Sequence, residues 1–290
     1  MVVPYAPGGG ADTTARLLAR PMGEALGQPV VVENRAGAAG RIGAAEVARS
    51  APDGHTVLLD AAAHTANPAL LRNLPFDYAT AFTPVSQETV LPMLLLARAD
   101  RPAASLPAFI DMARSARTPL IYGSAGNGTA THLACANLAR LARFEATHVV
   151  YRGGGPMMQD LLAGNIDFAF AVASIALPMV QDGRLRALAV SASRRLSTLP
   201  ALPTVADSGF AEFDIAEWNG LYLPAGAAAP VVARFHQAAM AALGDAQLRQ
   251  RLPALGAEPV GSDPAGFAEF LKRDRARLAA LIRGAAIVVE

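Results

Sequence analysis

Three times in this chain a strand-like run ends in a glycine-bearing turn and opens a helix-like run: MVVPYAPGGGADTTARLLA at 1–19, LIYGSAGNGTATHLACANL at 120–138 and THVVYRGGGPMMQDLLAG at 147–164. A strand that leads directly into a helix cannot fold back as a hairpin. Its next strand returns by a crossover, so the pattern selects a parallel or mixed sheet covered by helices. The same alternation runs through most of the sequence. Strand patterns fall at 2–5, 29–35 (a buried run, PVVVENR), 55–60, two within 83–98, 120–123, 147–151, 166–171, 185–192, the extended 212–226 and 257–260. Helical patterns fall at 11–27, 41–49, 105–116 with Ser105 as cap, 130–142, 153–164, between 171 and 185, 230–243, 245–252 and 264–283. At 290 residues and 52% hydrophobic, the chain is long enough for two α/β lobes.

Each glycine turn presents backbone N–H groups at a helix start. Those donors have no partner inside the helix, and the aligned peptide dipoles place about half a positive charge there. Such ends bind carboxylate or phosphate, and glycine permits the close approach. In an open parallel sheet these turns lie beyond the carboxyl ends of the strands, where ligands bind. A glycine turn also serves simply as a tight connection, and that reading stays open for each of the three.

Nucleotide and hydrolase signatures are absent. GGGADT at 8–13 has threonine where a dinucleotide fingerprint needs its last glycine, and GNGTATH has no lysine for a phosphate loop. YGSAG has Tyr122 where a nucleophile elbow needs glycine. Lys272 is the only lysine, and the net charge of +1 offers no field for nucleic acid. Cys135, the single cysteine, sits in a helical apolar pattern and reads as a buried small hydrophobe. His55, His64, His148 and His236 show no metal-ligand spacing, and no metal or cofactor is expected. No apolar run is long enough for a spanning helix.

Several side chains admit two readings. Asp12 is a cleft carboxylate or a helix cap. His132 donates to a ligand or lies on a helix face. Asp167 faces the cleft or begins a strand. Trp218 packs on a ligand or between lobes. Thr65 and Asn67, in HTANP, contact a ligand or build a turn, and Tyr151 contacts a ligand or packs in its strand.

The order and spacing of these stretches resemble one family. VVPYAPGGGADTTARLLA, LGQPVVVENRAGAAGRIGAAEVARSAPDGHTVLL, NPALLRNLPFDYATAFTPV, YGSAGNGTATHLA, VVYRGGGPMMQDLLAGNIDFAF, LPTVADSGFAEFDIAEWNGLYLPAG and GAEPVGSDPAGFAEFL are similar to the tripartite tricarboxylate transporter substrate receptors, also called Bug or TctC-like proteins. The resemblance covers nearly the whole chain. It implies an α/β, two-lobed, periplasmic-binding-protein-like fold (a Venus flytrap of type II-like design) with a mixed sheet flanked by helices in each lobe. The lobes are expected at 1–98 plus 221–290 and at 99–220, with hinge strands near 97–105 and 215–224.

The resemblance also implies a non-enzymatic receptor that takes a small organic carboxylate between two turns, partly through ordered water. Mapped here, the first is Tyr5, Ala6, Pro7, Gly8, Gly9, Gly10 and Asp12; the second is Gly123, Ser124, Ala125, Gly126, Asn127, Gly128, Thr129 and His132. Thr65, Asn67, Tyr151, Gly153, Gly154 and Asp167 join them as candidate contacts. Ala171 and Val172 stand where relatives carry aspartate and asparagine, which points to a less polar pocket and an apolar or aromatic carboxylate. The implied partner is the permease pair of a tripartite transporter, and the implied state a monomer. A sensor for a two-component system would use the same closure. An enzyme would need an acid or base from Asp12, His132 and Asp167. Relatives carry a signal peptide and more of the first strand ahead of VVP, so the periplasm is the expected location; with Met1 as a true start it would be the cytoplasm.

Overall fold

In a computed structural model, residues 1–71, 73–285 and 287 are described. They form two mixed sheets. The first contains β1 (Val2–Val3), β2 (Glu33–Asn34), β3 (Leu58–Ala61), β4 (Phe82–Leu91), β10 (Glu217–Pro224) and β11 (Glu258–Pro259). The second contains β5 (Met93–Arg98), β6 (Leu120–Ser124), β7 (Ala146–Val150), β8 (Phe168–Val172) and β9 (Leu185–Val190). Helices α1 (Gly10–Leu26), α2 (Arg41–Ala48), α3 (Ala63–Leu70), α8 (Ala229–Gly244), α9 (Ala246–Ala254) and α10 (Pro264–Gly284) accompany the first. Helices α4 (Leu106–Ser115), α5 (Ala130–Ala142), α6 (Gly154–Ala163) and α7 (Ala173–Gln181) accompany the second.

The two sheets repeat one plan. In the first, β3, β1 and β2 lie side by side and parallel; in the second, β8, β6 and β7 do the same. An antiparallel strand follows on the same side of each trio, β10 beside β3 and β5 beside β8. Each parallel strand is followed by a helix. The pairs β1–α1 and β6–α5 correspond, as do β2–α2 and β7–α6, and β3–α3 and β8–α7. All six connections lie beyond the carboxyl ends of parallel strands.

The chain passes between sheets at Pro92, with β4 ending at Leu91 and β5 beginning at Met93. That is earlier than the expected 97–105. The return is complete by Glu217, where β10 pairs with β3 and β4, so the expected boundary at 220 falls inside a strand of the first sheet. Sheet membership therefore moves Met93–Arg98 to the second lobe and Glu217–Gly220 to the first. Sequence pattern registers a strand but not its neighbours, and here both boundaries depended on neighbours. The PVVVENR run is also not buried. β2 is the sheet edge, only Glu33 and Asn34 are laddered, and Val31 is 65% exposed. The valines show β propensity without burial, as an edge strand allows.

Apolar side chains fill both sides of the sheets. Phe109, Phe144 and Phe168 meet edge to face in the second lobe. Trp218 packs against Phe267 and Phe270 of α10 in the first. Fully burying such a side chain contributes about 1.5–3 kcal/mol. Ala66 and Leu70 of α3, Leu133 of α5 and Leu278 and Ile282 of α10 form a further cluster that joins the lobes.

Candidate functional site

Ser105, Asp245 and Asp263 cap α4, α9 and α10 by accepting from backbone N–H groups two to three residues inside the helix. None of the six helices that follow a parallel strand has such a side-chain cap. Neither does α8, which has Pro230 in its first turn. At three of the six, one N–H at or just before the helix start finds an acceptor elsewhere in the protein. Arg41 N–H at the start of α2 donates to Ala38 O, Ala62 N–H before α3 donates to Glu217 Oε1, and Ala173 N–H of α7 donates to Pro92 O. The other three are α1, α5 and α6, the helices behind the glycine turns. Among the described residues, the leading amides Gly10, Ala11, Ala130, Thr131, Gly154 and Gly155 have no protein acceptor. Free donors at a helix start are what an anion needs.

The polar side chains at these ends are turned elsewhere. Asp12 lies in the first turn of α1, yet its carboxylate reaches back to Gly8 N–H at 2.9 Å. Arg16 Nε (3.0 Å to each oxygen) and Asn34 Nδ2 (2.9 Å) hold it as well, and these contacts keep its pKa below the usual carboxylate value despite burial. Asp12 therefore fixes the turn and is not a free cleft carboxylate. Gly8 bends through φ +83°, while Ala6, Pro7, Gly9 and Gly10 complete the loop with no side-chain cap. Tyr5 closes it from below: its hydroxyl donates to Asp60 Oδ1 at 2.8 Å, and Asp60 Oδ2 meets His64 Nδ1 at 2.9 Å.

The second turn is tied in the same manner. Thr129 occupies the N-cap of α5, but its hydroxyl donates to Gly126 O (2.7 Å) and meets Thr131 Oγ1 (2.8 Å). Thr131 Oγ1 accepts from Ala125 N–H at 3.0 Å. Ser124 Oγ donates to Gly126 O (3.1 Å) and pairs with His148 Nε2 (2.7 Å). Gly128 N–H donates to His132 Nδ1 at 3.1 Å, and the rings of His132 and His148 stack 3.9 Å apart. Burial pushes His132 down to about 3, helped by His148, and pushes His148 down to about 4. Both rings are thus neutral near pH 7. His132 is an acceptor for the turn, not a donor to a ligand through Nδ1. Asn127 is half-buried at the tip of this turn.

Gly123 belongs to the packing beneath. A Cβ there would meet Ile166 at 2.6 Å and Met157 at 2.9 Å. In the third turn, Tyr151 donates to Asp160 Oδ2 at 2.6 Å, Gly153 takes φ +114° as N-cap of α6, and Gly154 begins the helix beside Ile175.

Three expected contacts lie elsewhere. Thr65 is fully buried, its hydroxyl given to Asp274 Oδ2 (2.6 Å) and Ala62 O (3.0 Å). Asp167 precedes β8 at the amino ends of the parallel strands, opposite the turns. It accepts from Ile121 N–H at 2.8 Å and pairs with Arg101. Ala171 pairs with Leu94 and is buried in the second-lobe core, so it does not line the cleft, and its argument for an apolar ligand falls. Asn67 does reach the turns: it is 1% exposed, bonded to Ala39 O and Tyr78, and lies beside Gly128.

A fourth glycine turn, within ENRAGAAGR at 33–41, joins the expected strand at 29–35 to the expected helix at 41–49 and was not among the expected contacts. Ala38 and Ala39 have φ of +47° and +54°, between Gly37 at +133° and Gly40 at +85°. Consecutive left-handed residues are costly without glycine and gather at functional loops. A Cβ on Gly40 would meet the Tyr5 hydroxyl at 3.2 Å, and Ala39 O accepts from Asn67. The loop thus links the first turn to Asn67 and Gly128. Its signal in the sequence was the small-residue run AGAAG. Among the described residues no group of three or more His, Cys, Asp or Glu side chains is placed to hold a metal, and no helix is long and apolar enough to cross a membrane.

Residues 14–287 match the family described as "Tripartite tricarboxylate transporter family receptor". The fold is similar to that of the periplasmic binding protein BugD, with TM-score 0.92 and 32% identity, covering 100% of this chain and 98% of that one. R. palustris Rpa4515, solved with adipate, gives TM-score 0.93 and 31% identity over 99% of this chain and 97% of that one. MatC (Rpa3494) from Rhodopseudomonas palustris, solved with bound malate, gives 0.89 and 35% over 97% of each chain. The family consists of substrate-binding receptors and not enzymes. Two mixed sheets joined at Pro92, three uncapped glycine turns and a match over nearly the full length lead to one conclusion: this chain belongs to the tripartite tricarboxylate transporter receptor family, the Bug or TctC-type periplasmic solute-binding proteins.

Proposed function

We propose that the protein takes a small organic dicarboxylate between its lobes, one carboxylate held by the free amides of α1 and the other end of the ligand by those of α5 and α6, with ordered water completing the shell. The observation that carries this reading is that the side chains serving the third amide of α4, α9 and α10 have no counterpart at α1, α5 and α6, whose leading amides have no protein acceptor. The malate and adipate bound to MatC and Rpa4515 support a dicarboxylate as the ligand class. The turns before α1 and α5 carry no lysine or arginine, so recognition there rests on neutral donors and helix dipoles, while the turn before α6 adds the exposed cation Arg152. Closure bends the connections at Pro92 and around Ile215–Glu217, and the closed monomer is what a membrane permease pair reads.

The test is a thermal-shift screen of unfolded and refolded protein against mono-, di- and tricarboxylates, amino acids and aromatic acids, with mass spectrometry of the recovered ligand. Refolding removes any acid that co-purified. A true ligand at about 100 times its Kd stabilises by about 2.7 kcal/mol. One or a few dicarboxylates should do so and be recovered unchanged. Absence of a shift with every acid, or chemical conversion of the ligand, overturns the proposal.

A further inference from the structure

Asn67 is 1% exposed and its amide is held in one orientation. Nδ2 donates to Ala39 O at 2.9 Å and to the Tyr78 hydroxyl at 3.0 Å. A carbonyl oxygen only accepts, so the first bond fixes which end of the amide is nitrogen. The other end, Oδ1, is buried with no hydrogen-bond partner and lies 3.8 Å from where a Cβ on Gly128 would stand. The Gly128 amide cannot answer it, because that N–H is given to His132 Nδ1.

This leaves one acceptor without a donor beside turns whose free groups are donors. A ligand made only of carboxylates satisfies the amides of α1, α5 and α6 and leaves Asn67 Oδ1 unpaired. A ligand that also carries a donor satisfies both. The donor is a hydroxyl or an ammonium. An ammonium brings a full positive charge that needs a carboxylate partner, and the carboxylates of the first turn are committed, while Glu217, whose Oε1 takes Ala62 N–H and Trp218 N–H, stands at the start of α3, more than a turn before Asn67. Asp12 serves Gly8, Arg16 and Asn34, and Asp60 serves Tyr5, Ala61 N–H and His64. A hydroxyl needs only the acceptor.

We propose that Asn67 is the specificity-determining residue of the cleft and selects hydroxy-substituted carboxylic acids, its Oδ1 accepting from the ligand hydroxyl. This rests on the dicarboxylate reading above and narrows it. A site built to hydrogen-bond a substrate hydroxyl discriminates strongly against the analogue that lacks it, because its own buried polar group is then left unpaired.

The experiment is calorimetric titration of refolded protein with matched pairs: succinate and malate, glutarate and 2-hydroxyglutarate, adipate and 2-hydroxyadipate, with aspartate as the ammonium counterpart of malate. Within the pair of the correct length, the hydroxy acid should bind at least tenfold more tightly, which is ~1.4 kcal/mol. Aspartate should bind less tightly than malate. Asn67→Leu should bring the ratio within the pair to near one. Asn67→Asp, which keeps an acceptor in place, should preserve the preference. Because the result is a ratio, general loosening of the 37–40 loop lowers both affinities and leaves the test intact. A ratio near one in the wild type, a preference for aspartate, or a preference unchanged in Asn67→Leu overturns the assignment while leaving the carboxylate reading standing. Failure of every acid to bind overturns both.

Discussion

Gly128 carries a constraint that Gly8 does not share. Both take positive φ, +74° and +83°, where an L-residue costs roughly 1–2 kcal/mol. A Cβ on Gly8 meets nothing within 4 Å, whereas one on Gly128 stands 2.6 Å from Leu70 Cδ1 across the lobe contact. Gly8→Ala should therefore lower the melting temperature by the strain alone. Gly128→Ala should lower it and also displace Leu70 from its cluster with Leu133, weakening ligand binding by about tenfold or more. Thermal unfolding and titration of the two variants side by side check this; equal ligand affinity in both would show that the Gly128 contact plays no part in closure.

At the level of elements, the order of strands and helices was readable because each carried its own periodicity or punctuation. Ser105 marked the start of α4, and Gly27 the left-handed end of α1. The three uncapped glycine turns were readable for the same reason. α3 was not: eight residues with Pro68 inside looked like a turn, and its helix is held from outside by Glu217, Asp274 and the Asn67 network. Thr65, Asp167 and Ala171 were misplaced because sequence does not tell which face of an element meets the cleft. Asp167 stands at the amino end of β8 and Ala171 points into the core, both decided by pairing with β6 and β5. The stacking of His132 on His148 was invisible because the rings come from α5 and β7, brought together only by the β6–β7 pairing. The loop at 37–40 was legible in principle, since it is the first-lobe counterpart of the Tyr151–Gly153 turn, but the repeat shows only once the two sheets are compared.

At the scale of the whole molecule, the shared core includes a carboxyl that sets a pH dependence. Glu88 lies in β4, fully buried, with one oxygen bonded to Ser86 and the other without a partner. Burial pushes it up to about 8. In the unfolded chain a glutamate ionises near 4.3. The folded state therefore holds a proton that the unfolded chain releases, and stability from this group is full below about pH 4.3 and is lost as pH rises through about 8. Glu88→Gln removes that term. Its stability relative to the wild type should rise with pH, by on the order of a few kcal/mol between pH 5 and pH 9. Denaturant unfolding of both proteins across that range measures the difference, and parallel pH profiles would refute it.

Ligand binding rests first on the free amides at the start of α1. Gly9 is the N-cap there, with φ −79° and no close neighbour for a Cβ beyond Ala6 O at 3.6 Å, so an aspartate fits without strain and brings its own carboxylate to the helix end. Titration of refolded wild type and Gly9→Asp with the dicarboxylate found by the screen is the most direct measurement. The wild type should bind one to one, Gly9→Asp should lose at least a hundredfold in affinity, and the variant should melt no lower than the parent. Undiminished binding by a folded Gly9→Asp would contradict the role of these amides.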